Sequence, residues 1–252
     1  MTLAEVMKAL EAAGSEQTRK TYRRHGMPEP MFGVSYATLG KLQKRIRADH
    51  PLARALWKTG NGDARILATM VVDPGQASDE ELDAWARDLD WYGVANAFVR
   101  YFAALTLNAR DRMADWMRSG SEMTARAGWM LLATLASDDR SLPDSFFEPY
   151  LPRIEREIHG ARNRVRSAMN SALIAIGGRS PGLAKKATAT AHRIGKVEID
   201  HGDTACKTPD AAASIARIRE RKDPAKTKAK AKTKAKTKAK TRQAARSAAR
   251  AR

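Results

Sequence analysis

Apolar residues recur at helical spacing along most of the chain: Leu3, Val6, Met7 and Leu10 fall on one face of a helix, as do Leu39, Leu42 and Ile46. The period-two alternation of a half-buried strand is almost absent. Turn formers punctuate this pattern at Gly14-Ser15, Pro28 and Pro30, Pro51, Gly60-Asn61-Gly62, Pro74-Gly75, Ser119-Gly120-Ser121, Pro143, Gly177-Gly178 and Gly202. The segments between them run to roughly 10 to 18 residues, the ordinary length of a globular helix. The pattern predicts an all-α protein with about 11 to 13 helices over residues 1–222.

Three of these segments share one layout. The stretches DARILATMVVDP (63–74), ARAGWMLLATLASD (125–138) and VRSAMNSALIAIG (165–177) each put an arginine near the start, then mix small residues with Leu, Ile and Met. Small residues let helices approach closely, so stacked antiparallel pairs would bury this face continuously, as in a HEAT-like helical-repeat solenoid. The spacing between copies is irregular, and a plain helical bundle satisfies the same periodicity.

Composition divides the chain in two. From Pro224 to Arg252 there are eight Lys, four Arg and no acidic residue, so +12 of the net +18 lies there and +6 is left for the rest. Residues 223–252 have no aromatic or large aliphatic side chain from which to build a core. They are expected to form a disordered Lys/Arg/Ala-rich tail behind a folded domain of residues 1–222. Such charge density suits polyanions, because each phosphate neutralised releases counterions. DNA is the expected partner, although RNA or an anionic surface satisfies the same physics.

Cys206 is the only cysteine, which excludes an intramolecular disulfide and a multi-cysteine zinc site and fits a reducing compartment. The start MTLAEVMKALEAAG lacks the positive region of a signal peptide, and no run reaches the roughly 18 apolar residues of a membrane span. The expected setting is cytoplasmic and nucleoid-associated, away from membranes.

Candidate chemistry is sparse. Asp200, His201, Asp203 and Cys206 lie within seven positions and invite a metal or thiol reading. One His and one Cys are too few for either without further groups. The same letters read more fully as a turn before a last helix, with Thr208 as N-cap, Pro209 at the first position and Asp210 in the first turn. His25, His50, His159 and His192 are scattered singly, and neither GxxxxGK nor GxGxxG occurs, so no metal or nucleotide cofactor is expected. Arg65, Arg126, Arg162, Arg164 and Arg166 lie near the first turns of the repeat-like helices. Parallel stacking would line them along one concave face that tracks a phosphate backbone, while singly each is equally an arginine lying over apolar surface.

The order of MFGVSYATLGKLQKRI (31–46), LARALWKTGNGDARILATMVVDP (52–74), the acidic segment DLDWYGVAN (88–96) and ARAGWMLL (125–132) resembles the DNA alkylation-repair glycosylases of the AlkD type. The resemblance implies a HEAT-like solenoid holding duplex DNA in a basic groove and excising cationic alkylpurines. In that family an aspartate stabilises the sugar cation, tryptophans contact the lesion site and an arginine contacts the phosphates. A cationic purine is already a good leaving group, so positioning and charge stabilisation can supply much of the catalysis.

The family's pattern around its acid is Trp, Asp, two variable positions, then Asp. Trp91 matches the tryptophan, Tyr92 replaces the first acid, and Ala95 takes the place of the catalytic carboxylate, with the uncharged Asn96 beside it. Arg126 matches the phosphate-contacting arginine, and Ser171 stands where a second tryptophan is expected. Losing an anion beside a forming cation costs several kcal/mol in a desolvated site; Asp90, or Asp88, is the candidate substitute acid only where the helix begins in a different register. Asp88 and Asp90 equally read as N-caps of the helix that follows.

The resemblance makes Trp91 the residue expected to face DNA, supported by Arg126, Arg65, Arg162, Arg164 and Arg166. The expected function is DNA binding in alkylation repair, recognising alkylated or distorted duplex DNA, with or without base excision. The alternative is a noncatalytic HEAT-like scaffold for protein or nucleic-acid partners whose tail binds DNA nonspecifically.

Overall fold

The computed structural model describes residues 1–222, apart from the side chain of Ala109; the cationic tail expected over 223–252 lies outside the described residues. The helices in chain order are α1 (Leu3–Ala13), α2 (Glu16–Arg24), α3 (Tyr36–Ile46), α4 (His50–Lys58), α5 (Gly62–Val71), α6 (Asp79–Arg87), α7 (Tyr92–Tyr101), α8 (Ala109–Met117), α9 (Glu122–Asp138), α10 (Asp144–Phe147), α11 (Tyr150–Glu157), α12 (Asn163–Arg179), α13 (Pro181–Ile194) and α14 (Ala211–Lys222). A 3-10 turn, Ala103–Leu105, follows α7. Among the described residues there are fourteen α-helices rather than the 11 to 13 expected, and no strand. Short helices such as the four-residue α10 make the difference, because they hold too few positions to show an apolar period.

Helix starts are coded locally. Ser15, Ser35, Asp49, Asn61, Ser78, Ser121 and Ser180 each accept a hydrogen bond from a first-turn N–H, and Thr2 with Glu5 forms a reciprocal capping box. Helices α7, α8, α10, α11 and α12 depart from this rule; at α7 and α12 the N-cap residues are Trp91 and Arg162, and neither side chain caps.

The helices stack as a HEAT-like array. Helices α5, α7, α9, α12 and α14 form a central row, each packed on the next, while α4 lies on α5, α8 on α9 and α13 on both α12 and α14. The three repeat-like segments of the sequence are α5, α9 and α12, all in this row. Their buried alanines, among them Ala64, Ala68, Ala125, Ala127, Ala168 and Ala172, let the row close up. Aromatic residues fill the space towards the N-terminal half: Trp57 stacks on Trp85 with centroids 4.2 Å apart, and Phe98, Phe102 and Trp116 extend the cluster. No helix among the described residues is long and apolar enough to cross a membrane.

After α13 the chain runs without regular structure along α12. Asn163 exchanges two hydrogen bonds with the Asp200 backbone, both 2.8 Å, Arg166 donates to the Glu198 carbonyl (2.9 Å) and Asn170 donates to the Pro209 carbonyl (2.9 Å). The last helix is capped by Asp210, whose Oδ1 accepts from the Ala213 N–H at 2.7 Å. The N-cap expected at Thr208 is therefore two residues early, since its hydroxyl is engaged with His201 Nε2 at 3.1 Å.

Candidate nucleic-acid interface

The N-terminal parts of α7, α9 and α12 meet the end of α2. On α7, Tyr92 and Asn96 are one helical turn apart and share a face. Tyr92 Oη is hydrogen-bonded to His25 Nδ1 at 2.7 Å, and the Arg164 and Arg126 guanidiniums lie over its ring, 4.6 and 5.6 Å from the centroid. Arg126 donates to Asn96 Oδ1 (2.8 Å) and to the Arg164 carbonyl (3.0 Å). Burial raises the Tyr92 phenol above its ordinary pKa although both arginines oppose the shift, so it stays protonated and serves as a hydrogen-bonding aromatic plate.

Arg126 is the unusual group. It is 6% exposed, and among the described residues its Nε has no partner and no carboxylate pairs with it. Burial, and then the charge of Arg164, pulls its pKa down to about 10, so it remains charged at neutral pH. That depression corresponds to roughly 3 kcal/mol against the charged form. A cost of this kind, carried by a buried charge with no ion-pair partner, marks a candidate functional site. The carboxylate that reaches the cluster belongs to Glu122, and its Oε1 already accepts from the Arg164 backbone N–H at 2.7 Å.

The helix face overturns part of the sequence reading. Trp91 does not face solvent: it is 6% exposed, donates from Nε1 to the His25 carbonyl (2.7 Å) and packs between Tyr22 and Tyr92. Gly93 makes room for it, since a Cβ there would stand 2.1 Å from the indole. Ala95, one turn on from Trp91, is fully buried in the same core. The partly exposed side of α7 belongs to Tyr92 and Asn96, one position later than the resemblance placed the site.

Neither aspartate of DLDWYGVAN caps α7. Asp88 is the C-cap of α6, and its carboxylate accepts from Trp57 Nε1 at 3.0 Å. Asp90 is ion-paired with Arg65 at 2.8 Å, which holds it away from the role of free substitute acid. Arg65 also donates to the Asp88 carbonyl (3.2 Å) and lies 5.2 Å from the Trp57 ring centroid.

Two more of the expected DNA-binding arginines serve the framework. Arg162 donates to the Ser119 carbonyl (3.0 Å) and the Gly120 carbonyl, and Arg166 donates to the carbonyls of Glu198, His159 and Ala161. Ser171 bonds back to the Ser167 carbonyl at 3.0 Å. Arg164 is left with its side chain over Tyr92. The sequence pattern does not single out Tyr92, Asn96 and His25 as candidate site residues; the one local signal is the i, i+4 spacing of Tyr92 and Asn96. The His201–Cys206 segment forms part of the strap along α12, with Cys206 exposed, and no group of three or more His, Cys, Asp or Glu able to hold a metal occurs among the described residues.

Comparison with known proteins places the helical array. The family described as DNA alkylation repair enzyme matches residues 6–213. An uncharacterized protein of Listeria monocytogenes, Lmo0209, is 29% identical over 231 residues, covering 88% of this chain and 99% of its own length. Its counterpart in Listeria innocua, Lin0241, is 28% identical with the same coverage. A solved structure described as "a new family of proteins related to the HEAT-like repeat DNA glycosylases with affinity for branched DNA structures" superposes with a TM-score of 0.80. It is 29% identical and covers 88% of this chain and 95% of its own. With the match running through nearly all of the helical array, the chain belongs to the DNA alkylation repair enzyme family.

Proposed function

We propose that this protein binds DNA without excising bases, acting in the cytoplasm at the nucleoid and recognising duplexes that are distorted or branched. The observation that carries this is the cluster of Tyr92, Arg126 and Arg164, in which the half-buried Arg164 guanidinium lies over an aromatic plate, the buried Arg126 adds a second positive charge behind it, and no free carboxylate stands among them. Two guanidiniums attract phosphate, while a glycosidic bond breaking towards a sugar cation needs an anion nearby. If α7 is compared in the register its buried face dictates, Tyr92 stands at the tryptophan position and Asn96 at the acid. Asn96 accepts from Arg126 and carries no charge. The branched-DNA affinity ascribed to the structurally similar family supports a preference for non-linear DNA.

The test uses the full chain and a chain ending at Lys222. Binding to a linear duplex and to a four-way junction is measured at several salt concentrations, and methylated duplex is assayed for free alkylpurine. Expected are salt-dependent binding by both chains, tighter on the junction, and no base release. Release of alkylpurine above the protein-free control would overturn the noncatalytic reading, and loss of all DNA affinity with the tail would leave the helical body a scaffold for other partners.

A further inference from the structure

We propose that α2 is a second backbone-binding element, which holds the phosphates of a second DNA arm while Tyr92, Arg126 and Arg164 hold the first; the proposal rests on the DNA-binding reading above.

The helix has the sequence EQTRKTYRR, four cations against one acid, and none of its residues is buried. With Tyr22 as its one large apolar side chain the helix gains little from the core, so its position needs another cause. Side chains at its C-terminal end fix that position. Tyr22 donates to the Val34 carbonyl (2.8 Å) and packs on Trp91, the His25 carbonyl accepts from Trp91, and His25 Nδ1 is bonded to Tyr92 Oη. The basic helix is thereby attached directly to the candidate interface.

Its four cations divide into two pairs. Arg19 and Arg23 are engaged by Glu16, at 3.6 and 3.4 Å, and Arg23 also by Glu29 at 2.8 Å. Lys20 and Arg24 are exposed, one turn apart, and have no ion pair among the described residues. Together with Gln17 and Arg23 they line a shallow depression. A donor-rich stripe of this kind complements a run of phosphates.

The ground between this stripe and Arg164 argues for two DNA arms rather than one continuous backbone. The turn at Asp200–Thr204 leaves its bonds with Asn163, beside Arg164, and approaches α2: a Cβ on Gly202 would stand 3.9 Å from the Arg24 carbonyl. That turn carries Asp200 and Asp203, both exposed. A single strand passing from Arg164 to Arg24 would cross these carboxylates, whereas two separate backbones diverging from a branch point avoid them.

The experiment compares the full-length chain with the Lys20→Ala/Arg24→Ala double variant on a synthetic four-way junction and on a linear duplex of matching sequence, across a salt series. Junction affinity is expected to fall by about tenfold, with a salt slope lower by about two, one for each lost phosphate contact, while linear-duplex affinity changes less than about twofold. A Lys20→Arg/Arg24→Lys variant should restore junction binding, and the far-ultraviolet spectrum and melting curve of both variants should match the parent. Equal losses on both DNAs, or no loss on the junction, overturn the second-arm role. Arg164→Ala is run alongside: if it weakens binding to both DNAs while the α2 variant is unselective, only the present proposal fails. If it weakens neither, the interface reading fails with it.

Discussion

The Arg164 guanidinium sits 4.6 Å from the centroid of the Tyr92 ring and makes no side-chain hydrogen bond among the described residues. A cation over an aromatic face contributes about 1 kcal/mol when partly shielded from water, enough to hold the head group in place while leaving its N–H edge free for an anion. Arg164→Ala is therefore expected to weaken DNA binding about tenfold and lower the salt slope by about one, with a stability change near 1 kcal/mol. Tyr92→Phe, which keeps the ring, should lose less than Tyr92→Ala. Fluorescence anisotropy over a salt series checks both, and an Arg164→Ala protein with unchanged affinity would remove this residue from the interface.

Arg126 invites the opposite balance of stability and function. Its buried charge costs roughly 3 kcal/mol, so Arg126→Met, which fills similar space without charge, should melt within a few degrees of the parent or above it. The opposing term is the loss of donors to Asn96 Oδ1 and the Arg164 carbonyl, about 1 kcal/mol each. DNA affinity should nevertheless fall. A variant that is both destabilised by several kcal/mol and normal in binding would show that Arg126 is framework only.

Ala95 and Asn96 are neighbours in sequence on different faces of α7, and paired substitutions separate them. Ala95→Asp places a carboxylate in a fully buried position and should cost about 3 kcal/mol or more, lowering the melting temperature by several degrees. Asn96→Asp places one 2.8 Å from an Arg126 donor and should fold at least as well as the parent. Thermal melts of the two chains decide whether the partly exposed face of α7 is the one assigned to Tyr92 and Asn96.

That register was the part the sequence did not disclose. Helical periodicity and the small-residue helices α5, α9 and α12 are local signals, and the structure follows them closely, whereas the caps expected at Thr208, Asp88 and Asp90 fall elsewhere. The face of α7 is decided by partners far along the chain: the His25 carbonyl, 66 residues from Trp91, draws the indole inward, and Gly93 leaves the space for it. Trp91 and Tyr92 are both aromatic, so the letters alone do not say which is core. Likewise Asp88 and Asp90 look like caps until Trp57 and Arg65 claim them.

The stretch MFGVSYATLGKLQKRI contributes to the resemblance without showing what shapes its start, and that is Asp63. This fully buried carboxylate accepts from the backbone N–H groups of Phe32 (2.7 Å), Gly33 (2.9 Å) and Val34 (2.9 Å). Gly33 has φ +77°, and a Cβ there would stand 2.7 Å from the Arg19 nitrogen. Asp63→Ala leaves three N–H groups without an acceptor and should cost about 4 kcal/mol; Asp63→Asn, which keeps one accepting oxygen, should cost about half of that. Urea unfolding of the two variants measures the difference, and equal losses would mean that packing, not acceptance, is what Asp63 supplies.

Acid sensitivity follows from ion pairs that tie neighbouring helices. Asp79 on α6 accepts from Asn108 and from Arg112, both at 2.8 Å, and these partners hold its carboxyl below the ordinary 3.8. Glu155 on α11 is held below 4.5 by Arg193 on α13, at 2.7 and 2.8 Å. A folded-state pKa below the unfolded one means that the contribution is complete above the unfolded value and disappears as pH falls through the folded value. The melting temperature should therefore be nearly flat from about pH 7 to 5 and drop below about pH 4. Replacing both acids, Asp79→Asn with Glu155→Gln, lowers the plateau slightly and flattens the acid limb, because the groups whose protonation differs between the two states are gone. Parallel curves for parent and double variant would assign the acid sensitivity to other carboxylates.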